Sequence, residues 1–273
     1  MSTNTCMARA GASLLAALGL AMSPAASADS DAELAKKAQN PIAAMISLPL
    51  QLNYDEGYGA TGDGEKWLLN VQPVIPFDLG SDWNLISRTI VPLIDQEDFV
   101  AGGALDESGV GDVLQSLFFS PKAPTAGGWI WGVGPALLLP TASDKVLGSE
   151  KWALGPTAVV LKQENGWTYG VLGNHLWSVA GEDDRDDISA TFVQPFLGYT
   201  TRTYTTFMIN TESTYDWKRE TWSVPVNLMV TQMLRVGGQP LTLQAGARYW
   251  ADSPDGGPDG WGFRFAVTFL FPK

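Results

Sequence analysis

One cysteine and one histidine occur in 273 residues. Cys6 lies ahead of an apolar run, so the chain beyond that run has no thiol, which excludes disulfides, thiolate metal sites and cysteine nucleophiles there. Cations are scarce too: 17 Lys and Arg stand against 29 Asp and Glu, a net charge of −12. That balance argues against nucleic acid, whose binding needs a basic face to displace counterions. Long hydrophobic stretches are missing as well. No window after the N-terminus approaches the 18 or so apolar residues of a membrane-spanning helix, although strands can cross a bilayer with a much weaker signal.

The first 28 residues read as a cleavable secretory signal: Arg9, an apolar run over 10–22, and Ala26-Ser27-Ala28 as the cleavage site. The run is too short for the roughly 20 residues of a spanning helix, and Cys6 is in the wrong place for a lipoprotein anchor. Residues 29–41 are polar and alanine-rich, with a helix-prone stretch around Ala35-Lys36-Lys37. They are expected to form a periplasmic tail with a turn or two of helix, a plug needing more chain. Residues 42–273 are expected to be one domain, since all-β barrels reach this length as single units.

What is abundant is alternation. Segments of about ten residues with period two run over 42–54, 66–77, 83–94, 110–121, 128–141, 151–163, 166–179, 188–200, 203–215, 221–234, 240–251 and 260–271. Connections after even segments are short; those after odd segments are mostly longer, glycine-rich and acidic. Together the odd connections hold 21 of the 29 acids. This beat predicts an all-β protein, a single up-and-down antiparallel transmembrane β-barrel of about 12 strands with both termini in the periplasm and a negative outer rim, in the outer membrane of a Gram-negative bacterium. The densest acidic run, 182–187, lacks the ligand spacing and central glycine of a calcium loop, so no metal or cofactor is expected. Prolines inside the segments, Pro49, Pro73, Pro92, Pro135, Pro156, Pro195 and Pro225, oppose regular strands and predict bulges or bends.

The faces separate in the last segment. Trp261, Phe263, Phe265, Val267, Phe269 and Phe271 share one side; Gly262, Arg264, Ala266 and Thr268 share the other. An arginine facing lipid at the midplane costs about 2–4 kcal/mol, which turns Arg248 and Arg264 inward. By the same alternation Arg88, Asp112, Asn174, Gln194, Glu212 and Asn227 are lumen candidates, with Asn53, Asn70, Gln72 and Asn210 beside them. Tryptophans and tyrosines gather at segment ends, as in the girdles of membrane barrels. His175 shares parity with Trp167, Tyr169 and Trp177, which places it on the lipid face without a serine two residues on; a Ser–His–acid hydrolase, and catalysis in general, is not expected.

The stretches Phe192-Val193-Gln194-Pro195-Phe196-Leu197-Gly198-Tyr199, Trp222-Ser223-Val224-Pro225-Val226 and Gly238-Gln239-Pro240-Leu241-Thr242-Leu243-Gln244-Ala245-Gly246-Ala247-Arg248-Tyr249 carry a family resemblance. So does Pro254-Asp255-Gly256-Gly257-Pro258-Asp259-Gly260-Trp261-Gly262-Phe263-Arg264-Phe265, with Leu270-Phe271-Pro272. They resemble the bacterial outer-membrane proteins of the phenol-degradation MetA-pathway family, often labelled only "transporter" and sometimes neuromedin U. The resemblance implies a barrel and a role in uptake of aromatic or other hydrophobic compounds. Where that family tends to have Tyr-Tyr-Asn, this chain has Arg248-Tyr249-Trp250.

The function expected is a passive channel or transport component for small, aromatic or otherwise hydrophobic molecules. The alternative is a structural or interaction barrel whose acidic loops meet divalent ions and lipopolysaccharide. Expected partners are outer-membrane lipid, lipopolysaccharide, an unidentified solute, and the assembly machinery that reads a terminal aromatic strand, here Phe271 followed by Pro272 and Lys273.

Overall fold

The computed structural model describes residues 30–97 and 106–272; the expected signal peptide and Asp29 lie outside the described residues. Twelve antiparallel strands form a closed barrel. They are β1 (Ile46–Tyr58), β2 (Gly64–Val71, continuing as Val74–Leu79), β3 (Trp83–Glu97), β4 (Glu107–Val110 and Val113–Pro121), β5 (Trp129–Leu139) and β6 (Lys151–Glu164). The second half is β7 (Trp167–Gly181), β8 (Ser189–Thr200), β9 (Thr205–Thr211 and Ser213–Asp216), β10 (Thr221–Val236), β11 (Gln239–Asp252) and β12 (Gly260–Phe271). Each strand pairs with its sequence neighbours, and β12 closes on β1 over Ile46↔Phe271 to Tyr54↔Phe263. Among the described residues no helix is long and apolar enough to cross a membrane.

The prolines explain where the wall breaks. A proline inside a ladder offers a carbonyl but no N–H, so its partner strand can be bonded from one side only. β2 is interrupted at Gln72, whose N–H donates to the Pro49 carbonyl at 2.9 Å. β4 is interrupted at Gly111, donating to Pro92 at 2.8 Å, and β9 at Glu212, donating to Pro225 at 3.3 Å. In β5 and β6, Pro135 faces Pro156, so the two missing donors oppose each other. Three of the breaks thus lie opposite prolines, while Pro195 sits in an unbroken ladder with β7 and the register also shifts at Glu56/Tyr58 and Trp152/Ala153, where no proline stands.

The outward face is apolar: Leu228, Val230, Leu243, Phe207, Ile209 and Phe265 are each at least 42% exposed. Aromatic pairs border this band at both ends. Tyr54, Trp67 and Phe263 cluster at the loop end; Trp167 and Tyr199, at 4.9 Å, sit at the turn end. Trp167 and Trp177 lie on one face of β7. At about 3.3 Å per residue and a tilt of about 40°, their separation along the barrel axis is roughly 25 Å, the height of an outer-membrane apolar band.

Inside, the turn end is filled. Ser30 caps a helix, α1 (Asp31–Ala38), by accepting from Glu33 N, and acids lead and lysines end it, in accord with its dipole. Leu34 and Ala35 pack with Met45, Met233 and Leu270, the last two inward residues of β10 and β12. Ile42 enters further, among Val74, Ile86, Phe118, Val159, Leu161 and Leu172. Arg235 holds Asp31 at 2.7 Å, and Gln163 donates to the Lys36 carbonyl. The segment expected as a free tail is therefore a stopper in the barrel mouth, and 42–45, expected as strand, belong to it. A short helix suffices because the wall supplies the apolar partners.

Replacing Leu34 by Asp sets a carboxylate among those partners, where even Leu→Ala costs about 2–5 kcal/mol. Residues 30–45 are then expected to leave the mouth. Trypsin should cut at Lys36 and Lys37 at least ten times faster than in the parent while unboiled electrophoretic mobility still reports a folded barrel; equal cutting rates would show that the helix is not anchored by Leu34.

Candidate functional site: a charged lumen above an apolar stopper

Above the stopper lies a cavity of about 420 Å³ in the middle of the barrel. Arg88, Asn174, Gln194, Glu212 and Arg264, all proposed from alternation, line it, as do Asn70, Gln72 and Asn210. Eight of its twenty lining residues are apolar, among them Ile90, Leu114, Leu172, Leu176, Phe192 and Met208.

Its charged side is an ordered network. Arg264, 2% exposed, forks onto Glu212 through Nη1–Oε1 at 2.8 Å and Nη2–Oε2 at 2.6 Å, and its Nε donates to Asn53 Oδ1 at 2.7 Å. Such bidentate geometry fixes both side chains. Arg248 sits one layer toward the loops, with Nε 3.1 Å from Asp55 Oδ1, Nη1 3.8 Å from Glu212 and its guanidinium 4.7 Å from the Trp250 ring. Trp250 Nε1 donates to Asp55 at 2.8 Å. Asn227 is fully buried and donates to Asn210 at 2.8 Å.

Two glycines stand opposite the two arginines, pressed against the adjoining strands. Gly262 stands opposite Arg248 in the β11–β12 register and Gly246 opposite Arg264. A Cβ at Gly262 would lie 2.7 Å from Asp55 Oδ1, and one at Gly246 would lie 2.6 Å from the Leu228 carbonyl. Both contacts are closer than real Cβ atoms tolerate, so the network needs glycine at both places.

Asp112 is placed elsewhere. At the break in β4 it accepts from Ser149 N and Oγ, each at 2.6 Å, and from Ala142 N, which ties down the loop after β5. Its parity points inward, but the break frees it to serve the loop. Asp55 moves the other way. Expected on the outer rim, it is 3% exposed inside the barrel, because β1 extends to Tyr58 and keeps Asp55 in phase with Asn53. That phase was available in the sequence. His175 lies on the outer face, its Nδ1 2.7 Å from Thr191 Oγ1 and its ring 4.0 Å from Trp177. These neighbours are not a serine and an acid.

At the loop end, Asp187 accepts from Ser178 Oγ at 3.0 Å and lies 3.6 Å from Lys151 Nζ, while Ile188 N donates to Ser178 Oγ. The Ser178 hydroxyl first, then Lys151, holds the Asp187 carboxyl below the ordinary aspartate range. Arg185 donates to the carbonyls of Lys145, Gly148 and Ser149, which joins this loop to the one before it.

A closed barrel with an apolar belt between aromatic girdles defines the class: a transmembrane β-barrel of the outer-membrane type. No protein-family model matches the chain, and no curated protein matches it. Among solved structures it is similar to an outer membrane channel from Pseudomonas putida F1, at 15% identity and a TM-score of 0.65, over 84% of this chain and 96% of that one. At that identity the likeness is one of fold. Looser matches are the beta domain of the Bordetella autotransporter BrkA (10% identity, TM-score 0.44, 84% and 100% covered) and outer membrane phospholipase A from Escherichia coli (13%, 0.43, 90% and 99%).

Two outcomes follow for this site. Glu212→Gln leaves the Arg264 charge buried beside a neutral amide, at an expected cost of about 3–5 kcal/mol in urea unfolding followed by tryptophan fluorescence. The double variant Glu212→Gln/Arg264→Met should recover part of that loss. A double variant no more stable than the single one would show that the stranded charge is not the cause. For Asp187, a depressed carboxyl contributes stability that is present above its unfolded pKa and is lost as pH falls through its lowered folded value. Amide exchange at Ile188 should therefore accelerate, relative to the wall strands, only on acidification to below the ordinary aspartate range near 3.9; a flat ratio down to pH 2 would remove the assignment.

Proposed function

We propose that the protein is a channel or transport component that passes small, largely apolar molecules, aromatic ones among them, across the outer membrane. The observation that carries this reading is the mid-barrel cavity of about 420 Å³ with a mixed apolar and polar lining, a size and lining suited to a small molecule. Its base is closed by residues 31–45, which are attached through side-chain contacts and a few hydrogen bonds rather than built into the sheet. A wall of hydrogen-bonded strands is fixed; this segment is the part of the lumen whose removal opens a path. The resemblance to the MetA-pathway transporter family supports aromatic cargo, and the lining names no specific compound. Outer-membrane lipid contacts the apolar belt; lipopolysaccharide at the acidic rim and the assembly machinery at Phe271 complete the proposed partners. We read the protein as a non-enzyme, His175 being an interfacial ring.

A second reading has its own observation. The Arg264–Glu212–Arg248–Asp55 network and the stopper together fill much of the lumen, as they would in a structural barrel with no cargo. Proteoliposome flux separates the two. The transport reading expects uptake of radiolabelled phenol-sized solutes above empty-liposome rates, and a several-fold rise in planar-bilayer conductance when residues 30–45 are deleted. A deletion variant that folds, conducts no better and admits no solute would overturn transport in favour of the structural barrel.

A further inference from the structure

The buried part of the lumen is rich in cations although the rim is acidic. Lys66, Arg88, Arg248 and Arg264 stand there with Asp55 and Glu212, in a protein of net charge −12. The arginines differ in how they are matched. Arg264 is forked on Glu212 and Arg248 lies against Asp55, so both guanidiniums face carboxylates. Arg88 also lines the cavity, yet among the described residues its hydrogen-bonded side-chain partner is the neutral amide of Gln72, Oε1 at 2.9 Å. A guanidinium has five N–H donors in a planar fork that fits a carboxylate, and one neutral acceptor uses only part of that capacity.

The surroundings of Arg88 set the rest of the ligand. Ile90, Leu114, Leu172, Leu176 and Phe192 line the same cavity, so an apolar body can leave water there while an anionic end stays beside Arg88. Asn70 and Asn174, which line the same cavity, are neutral amides. Inorganic phosphate or sulfate would waste the apolar wall. A dianion would bring its second charge toward Glu212, which faces the same space.

We propose that this cavity is a binding site for small organic monoanions, monocarboxylates with an aromatic or alkyl body, held by Arg88 through the carboxylate. The inference rests on the reading of the lumen as a solute site, and it narrows the solute from apolar molecules at large to apolar acids.

Benzoate and its neutral isostere benzamide test it on the purified barrel in detergent, by calorimetry, with flux of both measured in proteoliposomes. The wild-type protein should bind benzoate at least tenfold more tightly than benzamide, with hexanoate behaving like benzoate and inorganic phosphate failing to compete. In Arg88→Gln the preference should fall to twofold or less; in Arg88→Lys it should be partly kept. Equal affinity for benzoate and benzamide in the wild type overturns the proposal without recourse to any variant, and so does a preference that survives Arg88→Gln in a protein with native unboiled mobility. Benzoate binding through Arg88 with no flux of either compound would defeat transport and leave the anion site standing. Flux of both compounds at equal rates without preferential binding would do the reverse.

Discussion

Lipid offers no hydrogen bonds, and most of this molecule follows from that. Every backbone N–H and C=O at membrane depth must find a protein partner, which a sheet achieves only by closing on itself. Here the closing pair is β12 with β1. Closure forces strict alternation between lipid and lumen, so a single arginine in a strand fixes the facing of all its neighbours. Where proline withholds a donor, the ladder gives way on the adjacent strand, at Gln72, Gly111 and Glu212. Two of those breaks place a polar side chain inside: Gln72 meets Arg88 and Glu212 meets Arg264. The irregularities of the wall and the polar groups of the lumen are one feature of the fold.

Burying arginine inside the barrel demands an answer to its charge, since an unpaired ion in such surroundings is costly. Two strands collaborate for Arg264: β9 supplies Glu212 and β1 supplies Asn53. Arg248 is answered by Asp55 and Trp250. The network ties together the first and last strands of the chain, which meet only when the barrel is complete. It therefore reports closure, and two of its members, Glu212 and Arg264, line the cavity.

Strand number, facing and girdles were legible because period-two patterning and the loop alternation are local. The last strand has the same limits in sequence and structure, Gly260–Phe271. The end of β1 was not legible: the acids Asp55 and Glu56 look like loop residues, and only their pairing with Lys66 and Glu65 shows that the strand continues through them. Asp112 was misplaced for a related reason, since parity holds only while the ladder is intact and β4 breaks just before it. The stopper could not be read from composition. Eight helical residues with two lysines look like a soluble tail until Met45, Met233 and Leu270, distant in the chain, are seen to surround Leu34.

The sign of the charge that a solute meets is local as well. Arg88 and Glu97 lie nine residues apart on β3, about 23 Å along the barrel axis at about 3.3 Å per residue and a tilt of about 40°. Wherever saline fills the outer mouth, screening acts over about 8 Å, so the acidic rim contributes little at the depth of Arg88. Carboxylates at the rim repel anions only over the first part of the approach. Deeper in, the strand walls lower the dielectric and the arginines dominate. A net charge of −12 is consequently a poor guide to what the lumen accepts. The carboxylates set the potential at the rim, and the buried arginines set it at the depth of the cavity.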